Sequence, residues 1–235
     1  MPKLRFLAAA TLAVGLATAA HAQMEIPAGS EGSLGGGSQD LGCEAVTIAG
    51  SYALDGGSLQ NAGAFLIESG GLLDAQGSIQ LGSDFRNQGT LNAAASAMVF
   101  DGSCAAAGAS ISVSGVTTVA NLTISSTSGQ SFVLPNGANI VVTGSLVLQG
   151  LPGQPVRIVT AGGQPATFTL GPGAQVTQQN VNLVNVYVGP PPSTAAVPVP
   201  VSGLGWTASL SLLLSILSWG ALRSTRIRSF LRTQP

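Results

Sequence analysis

Short runs that alternate apolar with small or polar residues, each cut off by glycine or asparagine, fill residues 44–188. Ala45-Val46-Thr47-Ile48, Ser110-Ile111-Ser112-Val113, Asn121-Leu122-Thr123-Ile124 and Gly144-Ser145-Leu146-Val147-Leu148 are examples. A period of two, rich in Val, Ile and Thr, turns every second side chain to one face and marks half-buried strands. No stretch in this region sustains a helical period. The chain is therefore read as all-β. Only 7% of its 235 residues are charged, where ordinary soluble domains carry about 25%, and 45% are hydrophobic. That balance argues against a typical cytosolic surface and against charge-driven disorder.

An internal repeat narrows the architecture. Leu59-Gln60-Asn61-Ala62-Gly63-Ala64-Phe65, Leu73-Asp74-Ala75-Gln76-Gly77-Ser78-Ile79 and Phe85-Arg86-Asn87-Gln88-Gly89-Thr90-Leu91 share one frame, and Ile140 to Leu146 fits it too. Short strands separated by glycine at near-regular spacing predict a parallel β-helix, a solenoid whose coils stack strand upon strand. With a coil of roughly 20–25 residues, residues 44–188 should make about six or seven coils. Asn61 and Asn87 occupy matching frames and are expected to stack as a ladder. An antiparallel β-sandwich is the alternative that the same short strands permit.

The order from Phe85 to Gly150 resembles the repetitive β-helix segments of bacterial surface and adhesin-like proteins. Those run Asn-x-Gly-Thr-apolar, then Val-x-Phe-x-Gly, Asn-Leu-x-Ile and Val-x-Gly-x-Leu-x-Leu; here Asn87 to Leu91, Asn121 to Ile124 and Val142 to Leu148 carry the likeness. The resemblance implies a structural, matrix or adhesin-like role, with exopolysaccharide or other surface proteins as partners.

Charge is segregated to the ends. Lys3 and Arg5 open the chain and Arg223, Arg226, Arg228 and Arg232 close it, while the middle has Arg86 and Arg157 against nine acidic residues. The acidic middle and the net charge of −1 offer no footprint for nucleic acid. Lys3 and Arg5 followed by the apolar run Phe6 to Ala19 and Ala20-His21-Ala22 read as a signal peptide, cleaved between Ala22 and Gln23. Leu204 to Leu222 carries no charge and, as a helix, would cover roughly 28 Å, enough for the hydrocarbon of a membrane. Trp206 and Trp219 stand near its two ends, and the arginines beyond it place that side in the cytoplasm.

Pro190-Pro191-Pro192 and Pro198-Val199-Pro200 stiffen an extended stem before that helix. The sequence of stem, apolar helix and terminal arginine cluster resembles the tripartite sorting signals of Gram-negative bacteria, the PEP-CTERM class and its IPTL-like variants. Pro198, Val199, Pro200 and Trp206 lie where the family motif sits, with Arg223, Arg226 and Arg228 as its basic cluster; Pro-Glu-Pro itself is absent. The resemblance implies processing by a membrane-embedded exosortase-type protease.

Catalytic chemistry is poorly supplied. Once the leader is removed no His and no Lys remains, so a serine nucleophile lacks its usual base. Asp74, Asp84 and Asp101 are the carboxylates available for glycoside cleavage, and Arg86 or Arg157 for a lyase. No Cys-x-x-Cys, His pair or acidic calcium loop occurs, so no metal or cofactor is assigned. Asp55, Asp74 or Asp84 could contribute to one weak calcium site. Cys43 and Cys104 are the only cysteines, and an even pair in an exported chain favours a disulfide over free or intermolecular thiols. Asn121-Leu122-Thr123 matches a glycosylation acceptor but reads as strand.

The resulting layout is a signal peptide (1–22), a flexible Gly/Ser-rich segment (23–43), a β-solenoid ectodomain (44–188), a Pro-rich stem with the sorting motif (189–203), a transmembrane helix (204–222) and a basic cytoplasmic tail (223–235). The expected protein is exported, non-catalytic and adhesin-like, resident in the envelope, on the cell surface or released from it. A carbohydrate-binding surface module is the second reading. Its sugar platforms would come from Tyr52, Tyr187 and the phenylalanines, most of them at core positions. A polysaccharide-active enzyme is the third, and requires Arg157 and several acids to converge in one groove.

Overall fold

The structure is a computed structural model that describes residues 23–189. The leader, the motif Pro198-Val199-Pro200, Trp206, the apolar helix and the arginine cluster lie outside the described residues, as does Ala22 of the expected cleavage site.

Strands and turns alone make up the described chain, and it winds into a solenoid of eight coils. The first four coils have three strands each. These are β1 (Met24–Ile26), β2 (Glu31–Ser33) and β3 (Ser38–Asp40); β4 (Val46–Ile48), β5 (Ser51–Ala53) and β6 (Ser58–Ala62); β7 (Phe65–Ile67), β8 (Leu72–Asp74) and β9 (Ser78–Leu81); β10 (Phe85–Asn87), β11 (Thr90–Asn92) and β12 (Ala97–Phe100). Three of the later four coils use only two strands, and most of their strands are longer. They are β13 (Ser110–Ser114) and β14 (Thr118–Ser125); β15 (Ser131–Leu134) and β16 (Asn139–Gln149); β17 (Val156–Thr160), β18 (Ala166–Leu170) and β19 (Gln175–Gln179); β20 (Val181–Val184) and β21 (Val186–Gly189).

Each strand pairs in parallel with its counterpart one coil away, giving three sheets that run along the solenoid. The first has eight strands, β1-β4-β7-β10-β13-β15-β17-β20. The second has four, β2-β5-β8-β11. The third has nine, running from β3 through β6, β9, β12, β14, β16 and β18 to β21, with β19 also on β16. Every strand ladder is parallel, so the antiparallel sandwich is not formed.

The Gly/Ser-rich segment 23–43, expected to be flexible, instead supplies the first coil. β1 to β3 pair with β4 to β6, as in Met24 with Val46 and Ser38 with Ser58. β2 and β3 are polar and bury little, while Met24 and Ile26 of β1 pack on the core, and the ladder satisfies the backbone of all three on one side. The remaining seven coils lie within 44–188.

The short repeat in the sequence belongs to the corners of the coil rather than to the coil itself. Leu59–Phe65 carries β6 into β7, Leu73–Ile79 carries β8 into β9, and Phe85–Leu91 carries β10 into β11. The true period appears in contacts between coils. Ser58 Oγ donates to Ser38 Oγ 20 residues earlier, and Asn61 Nδ2 to Asp40 Oδ1 21 residues earlier. The Asn61–Asn87 ladder is not formed, because the two stand on different sheets. Asn61, at φ 51°, reaches back to Asp40, whereas Asn87 Nδ2 donates to the Gly115 carbonyl at 3.0 Å, 28 residues on.

Inward side chains stack into columns. Leu59, Ile79, Met98, Leu122 and Leu146 are neighbours in register along the third sheet, and all are buried. Phe65, Phe85, Phe100, Phe132 and Phe168 are fully buried. The Phe85 ring centroid lies 5.7 Å from that of Phe65 and 5.9 Å from that of Phe100, in tilted and edge-on arrangements favoured by aromatic quadrupoles.

Phe85→Ala would remove the middle member of this trio and should lower unfolding stability by about 3–5 kcal/mol, read from the midpoint of a denaturant titration at unchanged slope. Tyr52 offers a pH test. It is buried over Gly32, and desolvation raises its phenol above the ordinary value of 10.0. A raised pKa favours the neutral phenol in the folded state, so its contribution is complete below pH 10.0 and falls as the pH rises toward the folded value. Thermal melts should lose stability on that alkaline limb, and Tyr52→Phe should flatten it.

Candidate functional site

Cys43 and Cys104 are joined, with an S–S distance of 2.07 Å and Cα atoms 5.4 Å apart across 61 residues of sequence. Cys43 sits in the corner between β3 and β4 at φ 70°, where its N–H donates to the Asn61 carbonyl. Cys104 lies in the long connection from β12 to β13, and its N–H donates to the Gly82 carbonyl. The cross-link thus ties the first coil to the end of the fourth. Two glycines make room for it. A Cβ on Gly82 would stand 2.4 Å from Cys104 Sγ, and one on Gly63 would stand 2.3 Å from the Cys43 carbonyl oxygen.

The acidic and basic candidates are dispersed. Asp84 accepts from the Ser112 N–H at 2.7 Å, and Asp101 accepts from the Ser103 N–H and from Gln80 Nε2. Asp55 accepts from Ser33 Oγ. These carboxylates are spent on holding corners and adjacent coils. Hydrogen bonds from Asn61 and from the Gly42 N–H hold the Asp40 carboxyl below its ordinary value. Arg86 and Arg157 stand on the first sheet, in the fourth and seventh coils. With Gln88 turned to present its oxygen, Arg86 Nε and Nη2 donate to it at 2.8 and 2.7 Å. Arg157 lies in the seventh coil, whereas Asp74 belongs to the third and Asp84 and Asp101 stand at the two ends of the fourth. Among the described residues no group of three His, Cys, Asp or Glu side chains gathers to hold a metal. Of the aromatics considered as sugar platforms, only Tyr187 is exposed, at 61%.

One concave feature stands apart, at the place where the second sheet stops. Through β11 the register is regular: Asp74 of β8 pairs with Asn92 of β11, as Ala53 of β5 pairs with Asp74. The next coil should add a strand at Thr117–Val119, but β14 pairs there with β16 ahead of it and not with β11 behind. Ala93–Ala95 turn away instead, closed by the Ser96 N–H on the Ala93 carbonyl. The missing rung leaves a cleft of about 600 Å³. It is lined by Leu91 and the three alanines together with Asp74, Gln76, Asn92, Thr117 and Thr118.

Of these residues only Asp74 stands out in the sequence as a carboxylate. Gln76, Asn92, Thr117 and Thr118 give no signal by type. The run Ala93-Ala94-Ala95, which breaks the alternation of period two, is the one mark of the interruption. Comparison with protein-family models, with curated proteins and with solved structures finds no match for the chain.

Mass spectrometry of the unreduced chain should find the peptides of Cys43 and Cys104 joined, and two alkylatable thiols would contradict the pairing. Cys104→Ser should cost about 4 kcal/mol on the chain-entropy account. Gly82→Ala, which crowds the sulfur, should lower the melting temperature while Gly153→Ala, beside open space but at φ 79°, should cost only its backbone strain.

Proposed function

We propose that the chain is a non-catalytic, exported structural protein of the bacterial surface or extracellular matrix, adhesin-like in role. A solenoid built from stacked coils, with hardly any charge and a covalent cross-link, serves as a stiff spacer. The observation that carries the reading is the Cys43–Cys104 disulfide. Such bonds persist in oxidising compartments and are rare where glutathione keeps thiols reduced. The basic-apolar leader ending at Ala22 supports the same compartment.

In this reading the stem with Pro198, Val199 and Pro200, the apolar helix with Trp206, and the cluster Arg223, Arg226 and Arg228 form a sorting signal. The helix holds the protein in the membrane until an exosortase-type protease acts, and exopolysaccharide or other surface proteins are the partners outside. Dispersal of Arg157 and the acids among separate coils favours this role over a polysaccharide-active enzyme.

Removal of residues 204–235 is the test. The truncated protein should move from the envelope fraction to the medium, followed by immunoblotting. Retention in the envelope at the level of the full chain would refute the sorting role, and an intact leader on cytosolic protein would refute export.

A further inference from the structure

We propose that the cleft between β11 and the start of β14 is a binding site for a neutral, hydroxyl-rich ligand of the saccharide class. Its volume of about 600 Å³ falls in the range of roughly 300–1,000 Å³ typical of small-molecule sites. Its lining is more polar than most such sites, with five polar side chains beside Leu91 and three alanines, which suits a ligand rich in hydrogen-bonding groups.

The strongest sign is an unmet hydrogen-bonding need. Asp74 Oδ1 is buried and has no partner, while Asp74 Oδ2 has only a 3.4 Å contact from Gln76 Nε2. Other buried polar side chains on the solenoid are satisfied. Ser126 Oγ donates to Gln130 Oε1, and Gln130 Nε2 donates to the Gly102 carbonyl at 3.2 Å. A carboxylate held by one long contact is poorly satisfied, and because Asp74 lines the cleft, a turn of its side chain would present it to a ligand hydroxyl there.

The rest of the rim defines the ligand. Asn92 stands in register beside Asp74, one strand along. Thr117 and Thr118 line the same cleft. A carboxylate accepts, and amides and hydroxyls both donate and accept. That set matches vicinal hydroxyls, each of which also donates and accepts. The lining holds no Lys, Arg or His, so a uronate or phosphate would meet the Asp74 charge with nothing to offset it. A single carboxylate also falls short of the oxygen set that calcium prefers. This site is independent of the export reading, because its chemistry would operate in any compartment.

Nuclear magnetic resonance titration of the intact, disulfide-bonded chain provides the test, with maltotriose, cellotriose, trigalacturonate and calcium chloride as separate probes. At least one neutral trisaccharide should shift the amides of Asn92, Thr117 and Thr118 saturably, and trigalacturonate should bind more weakly. Asp74→Ala should weaken the neutral ligand by about tenfold or more, the loss expected for a hydrogen bond to a charged group. Ala94→Trp, at an exposed position that can accept the ring, should block the cleft while the core amide shifts stay in place. Absence of saturable shifts with both neutral sugars would overturn the proposal. So would tighter binding of trigalacturonate, binding unchanged in Ala94→Trp, or a saturable calcium response lost in Asp74→Ala, which would make the cleft a cation site.

Discussion

Parallel pairing between successive coils is the constraint on which everything else in this molecule rests. No coil can satisfy its own backbone, because its strands run along different faces and meet only at corners. Each N–H and C=O must find its partner in the coil before or after, and register then carries every inward residue onto its counterpart. Columns such as Leu59-Ile79-Met98-Leu122-Leu146 are the outcome. Stability is therefore close to a sum of neighbour interactions, and a coil without a large apolar residue survives only by leaning on the next. In the first coil β2 and β3 are built from Glu, Gly, Ser, Gln and Asp, and Met24, Ile26 and Leu34 pack the coil against its neighbour.

Much of this was readable from the residues. Alternation in Ser110–Val113 or Asn121–Ile124 identified strands because Ile, Val and Leu sit at every second position, and two cysteines in one chain announced a bond. The solenoid itself followed from glycine-punctuated spacing. Three things stayed hidden for physical reasons. In residues 23–43 the apolar beat is confined to Met24 and Ile26, since β2 and β3 rely on hydrogen bonds rather than burial. The seven-residue frame was a corner, which recurs within a coil as readily as between coils, so Asn61 and Asn87 matched in sequence yet stand on separate sheets. The cleft is the loss of a pairing, and local composition carries almost no trace of a strand that is not made.

The same interruption separates two styles of coil. Before it, three short strands make each coil with partners about 20 residues apart; across it, Asn87 and Asp84 reach partners 28 residues on. The additional length is spent in the connection from β12 to β13. That connection supplies Cys104. The second sheet is lost on the other side of the coil, where the path from the first sheet to the third shortens: Phe85 pairs with Val113, but Ala97 pairs with Asn121.

The placement of that cross-link has a mechanical side. Because Cys43 and Cys104 are bonded, the loop of 61 residues between them is short-circuited for any pull applied at the two ends. At about 3.4 Å per extended residue, roughly 200 Å of contour length is withheld from stretching. Tension would be carried through the sulfur bridge and would peel the first coil, which precedes Cys43, and the coils after Cys104, so the two flanks yield as fuses while the coils between the cysteines keep their shape.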